Sequence, residues 1–310
     1  MDGVLVIDKP QGLTSHDVVN RVRRILGIRS VGHLGALDPA ATGVLPLVLG
    51  SFTRLAQFYV HSEKTYEGVI RFGFSTDTYD ADGEPTSTPQ SIVLNPDEMS
   101  ELAAKFCGKI EQMPPPFSAK KIGGVPAYKL ARKQREVHLK PVQVEIKEFA
   151  ILEVASDSLT FRARVGSGTY LRSIAHDMGQ KLGCGAHLAS LRRTAVAEFL
   201  IDDARKLDQL ETAMRQGTSE RVLEQLFVHP RKLASHLPSV TATEENVAII
   251  RSGRAVNLPE MSRAPLVKVF FGQRELVAIA TRIAGTLFHA RIVLTTHPSS
   301  REHASPGQNA

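Results

Sequence analysis

The stretch "GHLGALDPAATGVLPLVLG", residues 32–50, places one carboxylate, Asp38, in a loop punctuated by glycine and proline and then runs directly into an apolar segment. That segment, "GVLPLVLG", is a short apolar run bounded by glycines, as a buried strand is. Upstream, "TSHDVVNRVRRILG" (14–27) sets Val18, Val19, Val22, Ile25 and Leu26 on one helical face, with a Thr or Ser cap and Gly27 as a stop. Before it, "GVLVIDKPQG" reads as a strand ending in a turn. The Asp38 loop therefore lies between a helix and a strand. An Asp ahead of Pro is ordinarily a turn residue whose carboxylate binds nearby backbone N–H groups. Three features pull against that reading here. Gly32, Gly35 and Gly43 clear side chains from around the carboxylate, as the close approach of a ligand requires. Pro39 holds Asp38 extended, and His33 stands five residues ahead. A lone carboxylate is ill suited to glycosidase-style pairing of two acids. It can serve as a nucleophile if a cation from elsewhere in the chain holds it ionised.

Outward from the loop, a helix is expected near 53–60, and "KTYEGVIRFGF" (64–74) alternates as a strand. "NPDEMSELAAKFCG" (95–108) has Asn95, Pro96 and Gly108 as helix punctuation. "SLTFRARVGSG" (158–168) alternates again and feeds a helix, "TYLRSIAHDMGQKLG". This order is α+β rather than βαβ repetition. Residues 208–240 read as helical or linker-like. From residue 238 short strands separated by polar turns predict a small second β domain to about 298, and the polar tail 299–310 is expected to be disordered.

The 310 residues are 42% hydrophobic and carry a formal net charge of +6, enough for a packed core and mildly favourable to a polyanionic partner, with nucleic acid leading. Basic residues concentrate in "SAKKIGGVPAYKLARKQREVHLK" (118–140). It holds seven Lys or Arg against the single acid Glu136. Such a run is often a solvated face. Gly123, Gly124, Tyr128 and the preceding "PPPF" suggest instead a mobile arm near 113–141 for phosphate contacts with some stacking. There is no export signal and no run of eighteen apolar residues, and Cys107 and Cys184 sit in no paired motif, which fits a reducing, cytoplasmic setting. "DTYDADG" (77–83) fails as a calcium loop, because Thr78 and Pro89 stand where Asp and Glu are required, and is read as an acidic turn. "GSGTYLR" (166–172) lacks the context of a dinucleotide fingerprint. Cys184 and His187 lack two further metal ligands, so structural roles are expected of them.

"GVLVIDKPQGLTSHDVV", "VGHLGALDPAATGVLPLVLG", "KTYEG", "STDTYDADG", "MPPPFSAKKIGGVPAYKLAR" and "SGTYLRSIAHDMGQKLGCGAHLASLRRTAVAEF" resemble, in order and spacing, the TruB-type tRNA pseudouridine synthases over residues 3–200. The resemblance implies a mixed, mainly antiparallel sheet flanked by helices within residues 1–237, and a C-terminal RNA-binding domain of the PUA type over 238–298. It implies isomerisation of a uridine in the T loop of tRNA, at position 55, with the base flipped out of the RNA and no metal or cofactor. By the same resemblance Asp38 is the nucleophilic aspartate and Arg172 its paired cation. Tyr66 packs on the target base, His33 contacts the flipped region, and Tyr170 and Leu191 complete the pocket. Lys120, Lys121, Lys129 and Arg132 would face the RNA backbone. Whether Asp38 attacks the ribose or the uracil, or supports elimination to a glycal, stays open. Two positions depart from the pattern: Leu34 replaces a usual Thr, and Gln134 a common Gly. A second reading keeps the RNA-binding parts but makes the chain a subunit of a guide-RNA particle, and a third makes it a base-excising glycosylase. The first strand opening at residue 3 suits the stand-alone bacterial type, expected to work as a monomer without a protein partner.

Overall fold

In the computed structural model, which describes residues 1–118, 120–131, 133, 139–217 and 225–294, the expected helix α1 (Ser15–Leu26) forms as the sequence dictates. Thr14 accepts from the Asp17 amide while the Asp17 carboxylate accepts from the Thr14 amide, and Gly27 closes the helix in the left-handed region. The face bearing Val18, Val19 and Val22 is buried.

The strands before the second chain half are β1 (Gly3–Lys9), β2 (Val31–His33), β3 (Thr42–Leu49), β4 (Lys64–Phe72), β5 (Gly108–Gln112), β6 (Lys121–Ile122) and β7 (Val125–Pro126). β8 (Val142–Val154), β9 (Ser158–Val165), β10 (Ala186–Val196) and β11 (Phe199–Leu200) follow. They build a sheet in the order β1-β3-β10-β4-β9-β8-β5, with β2 also on β3 and β11 also on β10. Every pairing is antiparallel except β3 with β10. β6 and β7 form a separate hairpin. The mixed, mainly antiparallel α+β architecture expected from the resemblance is present.

Alternation along β1 assigns its side chains to two cores. Leu5 and Ile7 face α1 and α5 (Leu207–Arg215), where Leu45, Leu47 and Leu210 join them. Val4 and Val6 face the other way, toward Phe52, Leu55 and Tyr59 on the 3₁₀ helix Gly50–Phe58 and its end. The helix expected near 53–60 thus starts earlier and winds tighter. A third core lies under α2 (Pro96–Ala104) and α4 (Leu171–Lys181), with Met99, Leu102, Ile174 and Met178 against Ile70 and Phe161. Gly108, read as a helix stop, opens β5 instead, three residues after the α2 cap at Lys105.

Beyond residue 238, β12 (Ser239–Ala242), β13 (Val256–Asn257), β14 (Leu266–Phe271), β15 (Glu275–Ala284) and β16 (Leu287–Val293) form a five-stranded sheet in the order β12-β14-β15-β16-β13. Helix α6 (Glu244–Arg251) covers one face through Val247 and Ile250. The other face sends Phe270, Leu276, Ile279 and Ile292 into the core that holds Val4 and Tyr59. The expected tail, 299–310, lies outside the described residues.

Candidate active site

The site forms where β3 changes partners. Along one edge β3 pairs with β1 throughout; along the other, Thr42 and Gly43 pair with β10, and Leu47 to Leu49 pair with β2. Between these, among the described residues, no strand pairs with the edge, and the loop 34–41 fills the opening. The exposed edge carbonyls are answered individually. Arg193 Nε donates to Val44 O at 2.7 Å and Leu34 N to Pro46 O at 2.9 Å. A residue's N and O point to the same side of a strand, so the N–H that Pro46 lacks would also have faced this gap.

Every carbonyl from residue 35 to 39 has a donor. Arg193 gives Nη2 to Gly35 O at 2.9 Å and Nη1 to Ala36 O at 3.1 Å. Ser15 Oγ donates to Leu37 O and accepts from Leu37 N, tying the loop to the start of α1. Ala41 N donates to Asp38 O, and Gly12 N and Lys9 Nζ donate to Pro39 O. Lys9 and Arg193 are fully buried beneath the loop. Burial pushes the Lys9 ammonium down to about 8, against the pull of Asp38. Gly43 stands where β3 meets β10 with φ at +101°, and a Cβ there would lie 2.2 Å from Arg193 O.

This scaffold leaves the Asp38 side chain 47% exposed in a cleft of about 450 Å³. Its carboxylate meets Arg172 from α4, with Nε 2.9 Å from Oδ2, and the Arg172 side chain is only 7% exposed. Arg172 Nη1 donates to Thr78 O at 2.9 Å and lies 3.5 Å from Asp80 Oδ2, while Nη2 donates to Phe117 O at 3.1 Å. Asp80 is held in turn, by the Thr78 hydroxyl at 2.6 Å and the Asp82 amide at 3.2 Å. The turn 77–83, read from the sequence as merely acidic, thus supplies a second carboxylate to Arg172. The start of α4 is anchored by Gln112, which accepts from Tyr170 N at 2.8 Å and donates to Tyr170 O at 3.0 Å.

Asp38, Arg172, Tyr66, His33, Tyr170 and Leu191 all line this one cleft. Tyr66 is buried on β4, one strand from Leu191 on β10. Burial pushes the Tyr170 phenol above its ordinary value, and Ser118 and Arg172 partly offset this. His33 Nδ1 accepts from Gly35 N at 3.2 Å; desolvation against the cleft wall and nearby Arg193 lower its pKa. Leu34 turns its side chain into the core with Phe52 and Leu55, so its departure from the pattern is one of packing. Lys120, Lys121 and Lys129 do not reach the cleft; they stand exposed on the segment formed by β6, β7 and α3 (Ala127–Ala131). Arg132 and Gln134 lie outside the described residues. Cys184 and His187 are buried, His187 beside Phe74 with Nδ1 3.2 Å from its carbonyl, in line with structural roles. Sequence reasoning missed Asp80, Lys9, Arg193 and the cleft residue Lys64; the "DKP" and "LRRT" contexts of Lys9 and Arg193 carry no spacing signal toward Asp38.

The geometry meets a family model at this point: the TruB family pseudouridylate synthase N-terminal domain matches residues 23–171, and the tRNA pseudouridylate synthase B C-terminal domain matches 172–237. A tRNA pseudouridine synthase B of Solibacter usitatus is 48% identical over 95% of this chain and 100% of its own length. The chain belongs to the TruB family of pseudouridylate synthases. Another tRNA pseudouridine synthase B, of Bacillus anthracis, is 38% identical over 90% of this chain and 92% of its own length. Among solved structures, a chain of a Cbf5-Nop10-Gar1 complex superimposes with a TM-score of 0.69 at 27% identity, covering 94% of this TruB-family chain and 85% of that one. The fold is therefore the pseudouridine synthase fold with a small C-terminal PUA-like β domain, and the family's reaction is an isomerisation.

Proposed function

We propose that the protein is a tRNA pseudouridine synthase that converts the T-loop uridine at position 55 to pseudouridine. The observation that carries this reading is the Asp38–Arg172 pair: a half-exposed carboxylate in a cleft, oriented by a buried guanidinium whose other nitrogens are all engaged. The cleft, about 450 Å³, suits one nucleotide flipped from the RNA. Tyr66 and Leu191 bear on the base, Tyr170 closes the wall beside Asp38, and His33 stands at the rim toward the RNA.

The reaction breaks the N1–C1′ bond and forms a C5–C1′ bond. The hydrogen on C5 is lost to a base and N1 gains a proton, so atoms balance and no redox partner is called for. Asp38 acts on the nucleotide during the exchange, and the cleft walls hold the detached uracil while it turns. Lys120, Lys121, Lys129 and Arg132 serve as backbone contacts along an arm near 113–141. The catalytic domain takes residues 1–237 and the PUA-like domain 238–298. The protein works in the cytoplasm as a monomer. Among the described residues no helix is long and apolar enough to cross a membrane. The guide-RNA particle reading is disfavoured by identity: 48% to a relative named tRNA pseudouridine synthase B against 27% to the Cbf5 chain.

The test is incubation of purified protein with a bare tRNA transcript, followed by nucleoside analysis. Wild-type protein is expected to convert one T-loop uridine. Asp38→Asn keeps shape without charge and is expected to lower turnover at least about a thousandfold with unchanged circular dichroism. Near-normal conversion by Asp38→Asn sinks the nucleophile assignment, and release of free uracil moves the protein to the glycosylase class.

A further inference from the structure

Lys64 opens β4 two residues before Tyr66, so the two side chains stand on one face of the strand, and both line the cleft. Its methylene chain passes close to Gly35, where an added Cβ would lie 3.2 Å from Lys64 Cε. The ammonium donates to Ser62 O at 2.8 Å. Among the described residues no carboxylate lies within ion-pair distance of it. Glu63, its chain neighbour, is turned to Lys147 and Arg164, and Asp38 is engaged by Arg172. The charged group that acts on Lys64 from the neighbouring strand is a like charge, Arg193 on β10. Lys9, the other desolvated lysine of the site, differs: three carbonyls and the field of Asp38 satisfy it.

A desolvated cation with a cation beside it and no counter-ion is unfavourable in the free protein and becomes favourable when an anion arrives. We propose that Lys64 is the ligand of a backbone phosphate of the RNA strand entering the uridine cleft, the phosphate supplying the missing counter-ion. This assignment rests on the RNA-modifying reading above. It separates Lys64 from the arm lysines, which are exposed and outside the cleft. It also gives the cleft a means of sensing that a nucleotide with its phosphate is seated, because the cost of the unpaired ammonium is relieved only then.

The pairing has a proton signature. Burial and Arg193 lower Lys64 to about 8 in the free protein. A phosphate favours the ammonium, so the value is higher in the complex, and binding above about pH 8 takes up a proton. Affinity then falls as pH rises past 8, by up to about tenfold per unit, and is level below it. Of the groups around Lys64, Arg193 carries a guanidinium that acts on it as a like charge, and His33 and Glu63 titrate below this range because both are lowered from ordinary values already under 7. Lys9 is also near 8, but it titrates alike in every variant at position 64.

The experiment measures binding of a T-arm stem-loop, already carrying pseudouridine so that turnover does not intrude, by fluorescence anisotropy across salt and from pH 7 to 9. Wild-type, Lys64→Met and Lys64→Arg proteins are compared, with melting curves to monitor folding. Lys64→Met is expected to bind several-fold more weakly at pH 7, to lose about 0.7 from the log affinity against log salt slope, and to lose the affinity fall above pH 8. Lys64→Arg is expected to keep the slope and also lose the fall, since guanidinium stays charged. A Met variant with the wild-type slope and pH profile overturns the assignment. Should the Met variant not fold, a wild-type pH profile in Lys64→Arg overturns it alone. Wild-type protein that neither binds the RNA nor modifies tRNA overturns the RNA-modifying reading together with it.

Discussion

Arg172 uses all three guanidinium nitrogens inside the site, one on Asp38, one shared by Thr78 O and Asp80, one on Phe117 O. It can therefore hold Asp38 in one orientation only while its own far side is held. Asp80→Asn keeps the volume and removes the charge, leaving Thr78 O as the anchor of Nη1. Turnover is expected to fall about tenfold to a hundredfold with the RNA KM nearly unchanged, because Asp80 lies behind Arg172 and acts on orientation. Single-turnover kinetics at saturating RNA check this; a change confined to KM would show that Asp80 serves RNA binding instead. Asp38 was legible in the sequence because its loop is local: the glycines, Pro39 and the following apolar strand are all within reach of one reading. Asp80 was not. Residues 38, 80 and 172 meet only through strand order, and the turn 77–83 invites comparison with a calcium loop, whose failure leaves nothing to mark Asp80.

At the level of elements, the loop takes its shape from the opening on the edge of β3. Helix α1 and strands β3, β4 and β9 were readable, since cap, stop and periodicity lie within each segment. The parallel join of β3 to β10 was not, because it links residues some 150 positions apart and leaves no pattern in either strand. Gly43 is the hinge of that join. Its φ of +101° and the 2.2 Å approach of a Cβ to Arg193 O make alanine incompatible twice over, with backbone on the other side of the clash. Gly43→Ala is expected to part β3 from β10, withdraw Arg193 from Val44, Gly35 and Ala36, and free the Asp38 loop. A loss of stability of at least about 2–4 kcal/mol is expected in chemical denaturation, from strain combined with carbonyls left unanswered. Gly12→Ala, at a positive φ with open space around it, is the control, and its cost should be confined to backbone strain of about 1 kcal/mol. Equal costs at the two positions would mean that the close approach, and with it the role of the join, contributes nothing.

Across the whole molecule, the cleft and the C-terminal sheet are joined by one core. Tyr59 lines the cleft, and its hydroxyl donates to Glu198 at 2.6 Å and accepts from Ala234 N at 2.8 Å. Burial and Glu198 push that phenol far above its ordinary value, so it stays a neutral donor. Lys268 of β14 donates to Leu233 O at 2.8 Å and Arg231 O at 3.0 Å, fastening the C-terminal sheet to the same segment. Phe270, fully buried, lies in the core with Tyr59, Leu34 and Phe52, and Arg231 stacks over its ring at 4.4 Å. The composition change near residue 238 marks where the second sheet begins but carries no sign of this docking, since each apolar residue in it reads equally well as the core of its own domain. A shared core predicts shared melting: the full chain should unfold in one transition, with calorimetric and van't Hoff enthalpies equal. Phe270→Ala should lower stability by about 3–5 kcal/mol and move that whole transition. It should also reduce turnover while leaving the C-terminal core around Val247, Ile250 and Phe288 intact, because the loss reaches the cleft through Leu34 and Tyr59. Two separate transitions in the wild-type protein, with Phe270→Ala shifting only the one that leaves turnover unchanged, would show that the C-terminal sheet is an independent module tethered beside the cleft.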